Sequence, residues 1–311
     1  MVRCTIFRII VLENTLTNPM NRVSLRVLFF FSLALIVASG CKKDEIIIDD
    51  NTAPPDSTIS TLIVENYVTK CYISLLGREP NAQEETDAIA TLKNGNMSVA
   101  SRKLVLDEIL LFPEYRTKVL EYNSIKLLNG LLDVAVLQEQ IDTYTFIQQQ
   151  PEYAYLYDEI QAIIDNLVVL RDTPTAFVDG DFGMQEMHRR LVSNDIYDQI
   201  NMGSFNFVLS MFNNFLYRDP TGDEHESGIT MVDGFVAVLF YETANSKEDF
   251  IDIFLGSDDY FEGQVRELCA RYLFREPTSA EQGYHSVRYR ESGNYERLQK
   301  DILSTDEFAG L

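Results

Sequence analysis

Tryptophan is absent from the 311 residues, and histidine occurs three times, as His188, His225 and His285. No two histidines stand at metal-ligand spacing, so a histidine-based metal site has no support. Cysteine is equally scarce: Cys4, Cys41, Cys71 and Cys269. None forms CxxC or CxxCH, which removes zinc-ribbon, thioredoxin-like and haem-attachment readings. GxSxG, HExxH, SxxK and the glycine-rich phosphate loops are all missing. The sequence therefore offers no catalytic residue, no metal ligand set and no cofactor. A carboxylate-dependent hydrolase stays open, because paired acids leave no local motif. Without tryptophan, glycan stacking would fall to the 16 tyrosines.

Basic residues are also few, 26 against 48 acids, for a net charge of −22. Such a surface repels phosphate backbones, so nucleic acid is not an expected partner. It suits solubility, weak cation binding or a basic partner. Hydrophobic residues make up 46% of the chain, enough for a folded core and too many for wholesale disorder.

What is present begins with an address. Arg22 and Arg26 precede an apolar run from Val27 to Val37, broken only by Ser32. This is too short to span a bilayer and suits a signal peptide. Ala38, Ser39 and Gly40 then lead into Cys41. The segment resembles a lipobox, which implies cleavage before Cys41 and a diacylated cysteine as the mature first residue. Residues 1–40 are read as the signal, with 1–19 as a gene-start extension ahead of Met20. N-terminal sequencing of the unprocessed precursor tests that start. Residues 1–40 hold four bases (Arg3, Arg8, Arg22, Arg26) and one acid (Glu13), so a chain starting at Cys41 carries −25. Lys42 and Lys43 follow in place of an inner-membrane retention aspartate. The expected destination is the outer membrane, lipid-anchored and facing the cell surface, with a periplasm-facing anchor as the alternative. Residues 41–60, with Pro54 and Pro55, read as a flexible tether.

Only Cys71 and Cys269 fall in the folded part, residues 61–311. An exported chain permits a disulfide, but helical, apolar surroundings favour two buried thiols.

Within that part a pattern recurs: CYISLLGREPNAQEE from 71, MFNNFLYRDPTGDEH from 211 and LCARYLFREPTSAEQ from 268. Arg78–Glu79–Pro80, Arg218–Asp219–Pro220 and Arg275–Glu276–Pro277 align. A proline restricts the residue before it, so a helix ends there. A capping box follows each time, Asn81 with Glu84, Thr221 with Glu224 and Thr278 with Glu281. The arginine is expected to bind carbonyls at the helix end or a nearby acid. Each unit closes on an amphipathic helix and an aromatic anchor, Tyr115, Tyr260 or Phe308, preceded by Glu114, Asp259 or Glu307. The anchor is expected to plug its own unit's core. Units are placed near 71–115, 207–260 and 266–308, with a helical insertion at 117–200.

The LGREP and FREPT turns, the capped helix and the closing aromatic resemble the exported bacterial helical repeats known as domain of unknown function 4214. The resemblance covers about 71–115 and 207–310. It implies a helical fold and carries no catalytic residue.

In the insertion, 117–171 reads as two long helices around Gln150–Pro151, and 172–183 as a loop. Asp179 and Asp181 lack the rest of a calcium-loop ligand set, so they read as a turn. The acids around His225 suit a helix start. The most strand-like run, 231–242, is expected to be a buried helix. The fold class is all-α: stacked helical hairpins behind a signal peptide and tether. The leading expectation is a non-enzymatic binding or assembly component of the cell envelope with an unknown protein or polymer partner. The alternatives are a glycan- or peptide-binding lipoprotein beside a transporter, and the hydrolase.

Overall fold

Apolar residues recur at helical spacing along 61–311, and the computed structural model, which describes residues 59–311, is all-α apart from one small hairpin. The signal segment, Cys41 and the tether lie outside the described residues. None of the described helices is long and apolar enough to cross a membrane.

The helices group into four units of one plan. The first has α1 (Thr61–Leu76), α2 (Ala82–Asn94) and α3 (Val99–Leu110), closing on Tyr115. The second has α4 (Pro113–Leu128), α5 (Val134–Gln148), a 3-10 turn (Pro151–Leu156), α6 (Tyr157–Asp179) and α7 (Met184–Val192). It closes on Tyr197 at the short α8 (Asp195–Ile200). The third has α9 (Gly203–Met211) running into a π turn (Phe212–Leu216), α10 (Gly222–Val232), strands β1 (Ala237–Leu239) and β2 (Glu242–Ala244), and α11 (Lys247–Gly256). The fourth has α12 (Asp258–Leu273), α13 (Ser279–Ser292), α14 (Tyr295–Leu303) and α15 (Asp306–Ala309).

The segment expected as an insertion thus follows the repeat plan. Its first helix ends on a left-handed residue, Asn129, as the others end on Gly77, Tyr217 and Phe274. Four residues later a side chain caps the next helix: Asp133, against Asn81, Thr221 and Thr278. Ten, six and five residues before Tyr197 stand Met187, Leu191 and Val192, all buried, where the third unit has Phe250, Phe254 and Leu255.

The units pair, and equivalent positions meet. Eight residues before the anchors stand Asp107, Arg189, Asp252 and Lys300. Lys300 binds Asp107 at 2.5 Å, joining first to fourth, and Arg189 binds Asp252 at 2.6 Å, joining second to third. A residue that meets its own counterpart marks a local two-fold relation. The anchors, expected to fill their own units, also bridge these pairs. Phe308 packs edge-on to Tyr67 of the first unit, and the Tyr115 hydroxyl donates to Gln299 of the fourth.

Three local expectations need correction. Residues 172–179 are helical, because α6 runs through Pro174 to Gly180. Buried Leu170, Thr173 and Phe177 hold it on the core, and the Thr173 hydroxyl binds the Val169 carbonyl at 2.6 Å. Core packing outweighs the backbone bond that proline removes. The stretch 117–171 holds three helices rather than two, since Asn129 and Gly130, both at positive φ, break the first. Finally, 237–244 is a hairpin: β1 pairs antiparallel with β2, and Phe240 and Tyr241 turn between them at positive φ. That is the backbone a two-residue turn needs to match strand twist.

Candidate functional site

The recurring arginine closes each of three units. Arg78 Nη1 and Nη2 donate to both oxygens of Glu84 at 2.7 and 2.9 Å, and Nε reaches Glu114 at 3.3 Å. Arg218 grips Glu224 at 2.8 and 2.7 Å and Asp259 at 2.5 Å. Arg275 grips Glu281 at 2.9 and 2.8 Å and Glu307 at 2.6 Å. Nη1 of each also donates to the next residue's carbonyl, on Glu79, Asp219 or Glu276. Of the two expected roles, the pairing with nearby acids is the one seen; the carbonyl each arginine binds lies in the turn, three residues past the helix end. The arginine ties the turn, the start of the second helix and the end of the unit together. Pro80, Pro220 and Pro277 set the bend that brings arginine and capping glutamate into register.

The arginine fork favours the ionised acids. It holds Glu224 and Glu281 down at about 2 and lowers Glu84 and Glu307. Such a closure is a strut rather than a reaction centre, because every charge is already paired.

In the second unit the closure is gone. Gly130 stands for the arginine, Val136 for the capping glutamate and Ile196 for the closing acid. Val136 and Ile196 instead line a groove of about 550 Å³ between α5, α6 and α8. Its apolar side includes Tyr144, Ile147, Ile163, Leu167 and Leu170. Its polar side is Glu139, Gln140, Thr143, Asn166, Asn194, Asp195 and Gln199. Among the described residues the side chains of Glu139, Gln140, Asn166, Asp195 and Gln199 make no hydrogen bond or ion pair. The α5–α6 hairpin that forms one wall has a small core of its own, Ile141, Ile160 and Ile164. Its tip exposes Phe146, Tyr153, Tyr155 and Tyr157. Such aromatic surface is suited to contact with a partner.

The remaining polar features are structural. Lys126 binds Glu267 at 3.2 Å and the Tyr217 hydroxyl at 2.6 Å, while Arg271 stacks over Tyr122 at 3.8 Å. This cluster pins α4 to α12, and burial lowers the Lys126 pKa against the opposing pull of Glu267. His188 is fully buried between Tyr260 and Asn123. Asn123 donates its amide to Val119, so its oxygen accepts from His188 Nε2, leaving Nδ1 to accept from the Tyr260 hydroxyl. His225 Nε2 meets the Phe205 carbonyl at 3.0 Å, and Glu224 beside it belongs to Arg218. At Gly180 the chain turns with φ of 88°, and Arg116 binds the Phe177 and Phe182 carbonyls there, so Asp179 and Asp181 flank a turn. Among the described residues no three His, Cys, Asp or Glu side chains converge to hold a metal ion.

Cys71 and Cys269 are buried free thiols. Burial raises them to about 12 and about 11, so both stay protonated at neutral pH. Cys41 lies outside the described residues. The structure brings Arg78, Arg218 and Arg275 each to the acid before its unit's anchor, and sequence reasoning missed the groove. The available signal was the loss of arginine, glutamate and closing acid together, visible only once 117–200 is aligned as a repeat. Comparison with family models, with curated proteins and with solved structures finds no match to this chain.

Proposed function

We propose that the protein is a lipid-anchored lipoprotein of the outer membrane, tethered through Cys41 and facing the cell surface, that binds a protein or polymer partner without chemistry of its own. The observation that carries this reading is the second unit. Three units spend their arginine on internal closure, while the second gives up that closure and opens a groove beneath a projecting hairpin. A scaffold with one unlocked unit is the arrangement expected of a binding component. Glycan or peptide capture beside a transporter is the second reading, favoured by the carboxamides of Gln140, Asn166 and Gln199. With Tyr144 as the groove's one aromatic, sugar stacking has little to use. The three closed units support kinship with the repeats of domain of unknown function 4214.

Protease shaving of intact cells tests the placement. Wild type and Cys41→Ala are compared beside a periplasmic control. Surface anchoring expects wild type to be cut yet membrane-bound, and Cys41→Ala to leave the membrane. Protection until the outer membrane is broken would leave a periplasm-facing anchor. Unchanged attachment of Cys41→Ala would refute the lipid anchor.

A further inference from the structure

We infer that the groove of the second unit binds an arginine-bearing, extended segment of a partner protein. The inference rests on the binding reading above and names its ligand. In the other three units one guanidinium bridges two carboxylates at the same place in the plan. In the second, Gly130, Val136 and Ile196 hold those three places, so the internal closure is lost with its acids as well as its arginine, and the φ of 74° at Gly130 disfavours any substitute from within. Two acids, Glu139 and Asp195, line the groove without internal partners, and no base lines it. Arg171, the first base beyond the hairpin, is held by Asp172 and Gln138.

The surrounding charge points the same way. From Leu127 to Leu170 the sequence has no lysine, arginine or histidine and seven acids. The field over this hairpin is therefore of one sign, and it attracts a basic segment while repelling an acidic one. The groove's shape suits a chain rather than a lone ion. Val136, Ile147, Ile163, Leu167 and Leu170 offer contact to apolar side chains, and the free carboxamides match backbone amides and carbonyls. Arginine fits better than lysine, because its planar fork can grip a carboxylate with two hydrogen bonds and stack on the Tyr144 ring.

The test uses the full chain in detergent at about 0.15 M salt, where charges more than about 8 Å apart are screened. The probe is a fluorescein-labelled peptide, Gly-Ser-Leu-Arg-Ser-Leu-Arg-Ser-Gly, read by anisotropy. Its twin carries citrulline, a neutral isostere, at both arginines. The expected result is saturable binding that weakens about tenfold or more with citrulline. Glu139→Gln with Asp195→Asn should cost as much. Glu226→Gln with Glu291→Gln, two exposed acids away from the groove, should change affinity by less than about twofold, separating the site from the general negative field. Asn166→Arg, which puts the chain's own guanidinium into the groove, should abolish binding while the circular dichroism melt stays within a few degrees. The inference is overturned if the arginine peptide does not bind, if citrulline binds equally, if the two acid pairs weaken binding equally, or if maltoheptaose binds and displaces the peptide. Anchoring is measured separately: an anchored chain that ignores the peptide refutes only this inference, and a chain that binds it but lacks an anchor refutes only the placement.

Discussion

The Tyr260 hydroxyl donates to His188 Nδ1 at 2.9 Å, and Tyr115 makes the equivalent bond to Gln299 at 2.5 Å. His188 and Gln299 both stand nine residues before their unit's anchor, so one position is filled by histidine in the second unit and by glutamine in the fourth. Each also bonds a second buried partner, Asn123 or Tyr272.

This equivalence predicts that His188→Gln keeps the fold and removes a pH dependence. Burial lowers the His188 pKa well below its usual value, and nearby Lys126 adds to the effect. In the unfolded chain a histidine protonates near pH 6.5. Below that pH the unfolded state takes up a proton that the folded state refuses, so stability falls as pH falls. The slope is about 1.4 kcal/mol per pH unit, or about 2 kcal/mol between pH 6.5 and 5. In His188→Gln the amide can accept from Tyr260 and donate to Asn123. Urea midpoints at pH 7.5 and 5 should lie closer together in the variant by about that amount. An unchanged difference would mean that His188 does not control this range.

The arginine closures govern a more acidic range. Arg275, through its side-chain hydrogen bonds, holds Glu281 at about 2 in the folded chain. An acid with a depressed folded pKa stabilises the fold fully above its unfolded value, near 4.3, and loses that contribution as pH falls toward 2. Glu281→Gln should therefore cost about 1 kcal/mol at pH 7, after allowing for solvent screening of a partly exposed pair. The gap should close by pH 2. Parallel denaturation curves from pH 7 to pH 2 check both statements. A constant gap across the range would assign the loss to packing rather than charge.

Backbone contact between units makes Gly263 irreplaceable. A Cβ built there would lie 1.9 Å from the Phe215 carbonyl oxygen, with Leu216 Cα at 2.9 Å. The π turn at Phe212–Leu216 sits directly on α12, and Arg266 binds the Leu216 carbonyl at 3.0 Å. No rotamer relieves a clash with backbone, so Gly263→Ala should cost about 3 kcal/mol or more. By contrast Gly222→Ala, with nothing within 4 Å of the new methyl, should leave stability within about 0.5 kcal/mol. Guanidinium melts of the two variants test the contrast.

The legible parts of the sequence were those enforced by local chemistry. A proline, an arginine two residues earlier and a capping box fix a turn within a dozen residues, and all three such turns form. The second unit escaped because its Gly130, Leu132 and Val136 keep the backbone plan while dropping every residue that announces it. Its left-handed Asn129 and its cap Asp133 do the same local work with different side chains. The groove depends on α5, α6 and α8 meeting, a long-range contact that no local pattern encodes. The hairpin at 237–244 was hidden for another reason. Its turn residues, Phe240 and Tyr241, are not the Asn-Gly or Asp-Gly pair that identifies a tight turn.

The same turn chemistry leaves a stabilising substitution unused. Gly77, Tyr217 and Phe274 hold one left-handed position, with φ of 71°, 55° and 56°. For a residue with a Cβ this conformation costs about 1–2 kcal/mol, whereas glycine adopts it freely. Tyr217 has a compensation, because its hydroxyl binds Lys126 at 2.6 Å. Phe274 has none and is 89% exposed. Phe274→Gly should therefore raise stability by about 0.5–1 kcal/mol once glycine's extra freedom in the unfolded chain is subtracted. Tyr217→Gly should lower it, since Lys126 would lose a hydrogen-bond partner and the ring it lies over. Opposite shifts in denaturation midpoint at the same position of two units would show that each turn is tuned by what its side chain touches. If Phe274→Gly were also destabilising, the exposed ring would have to be making a contact elsewhere in the full chain.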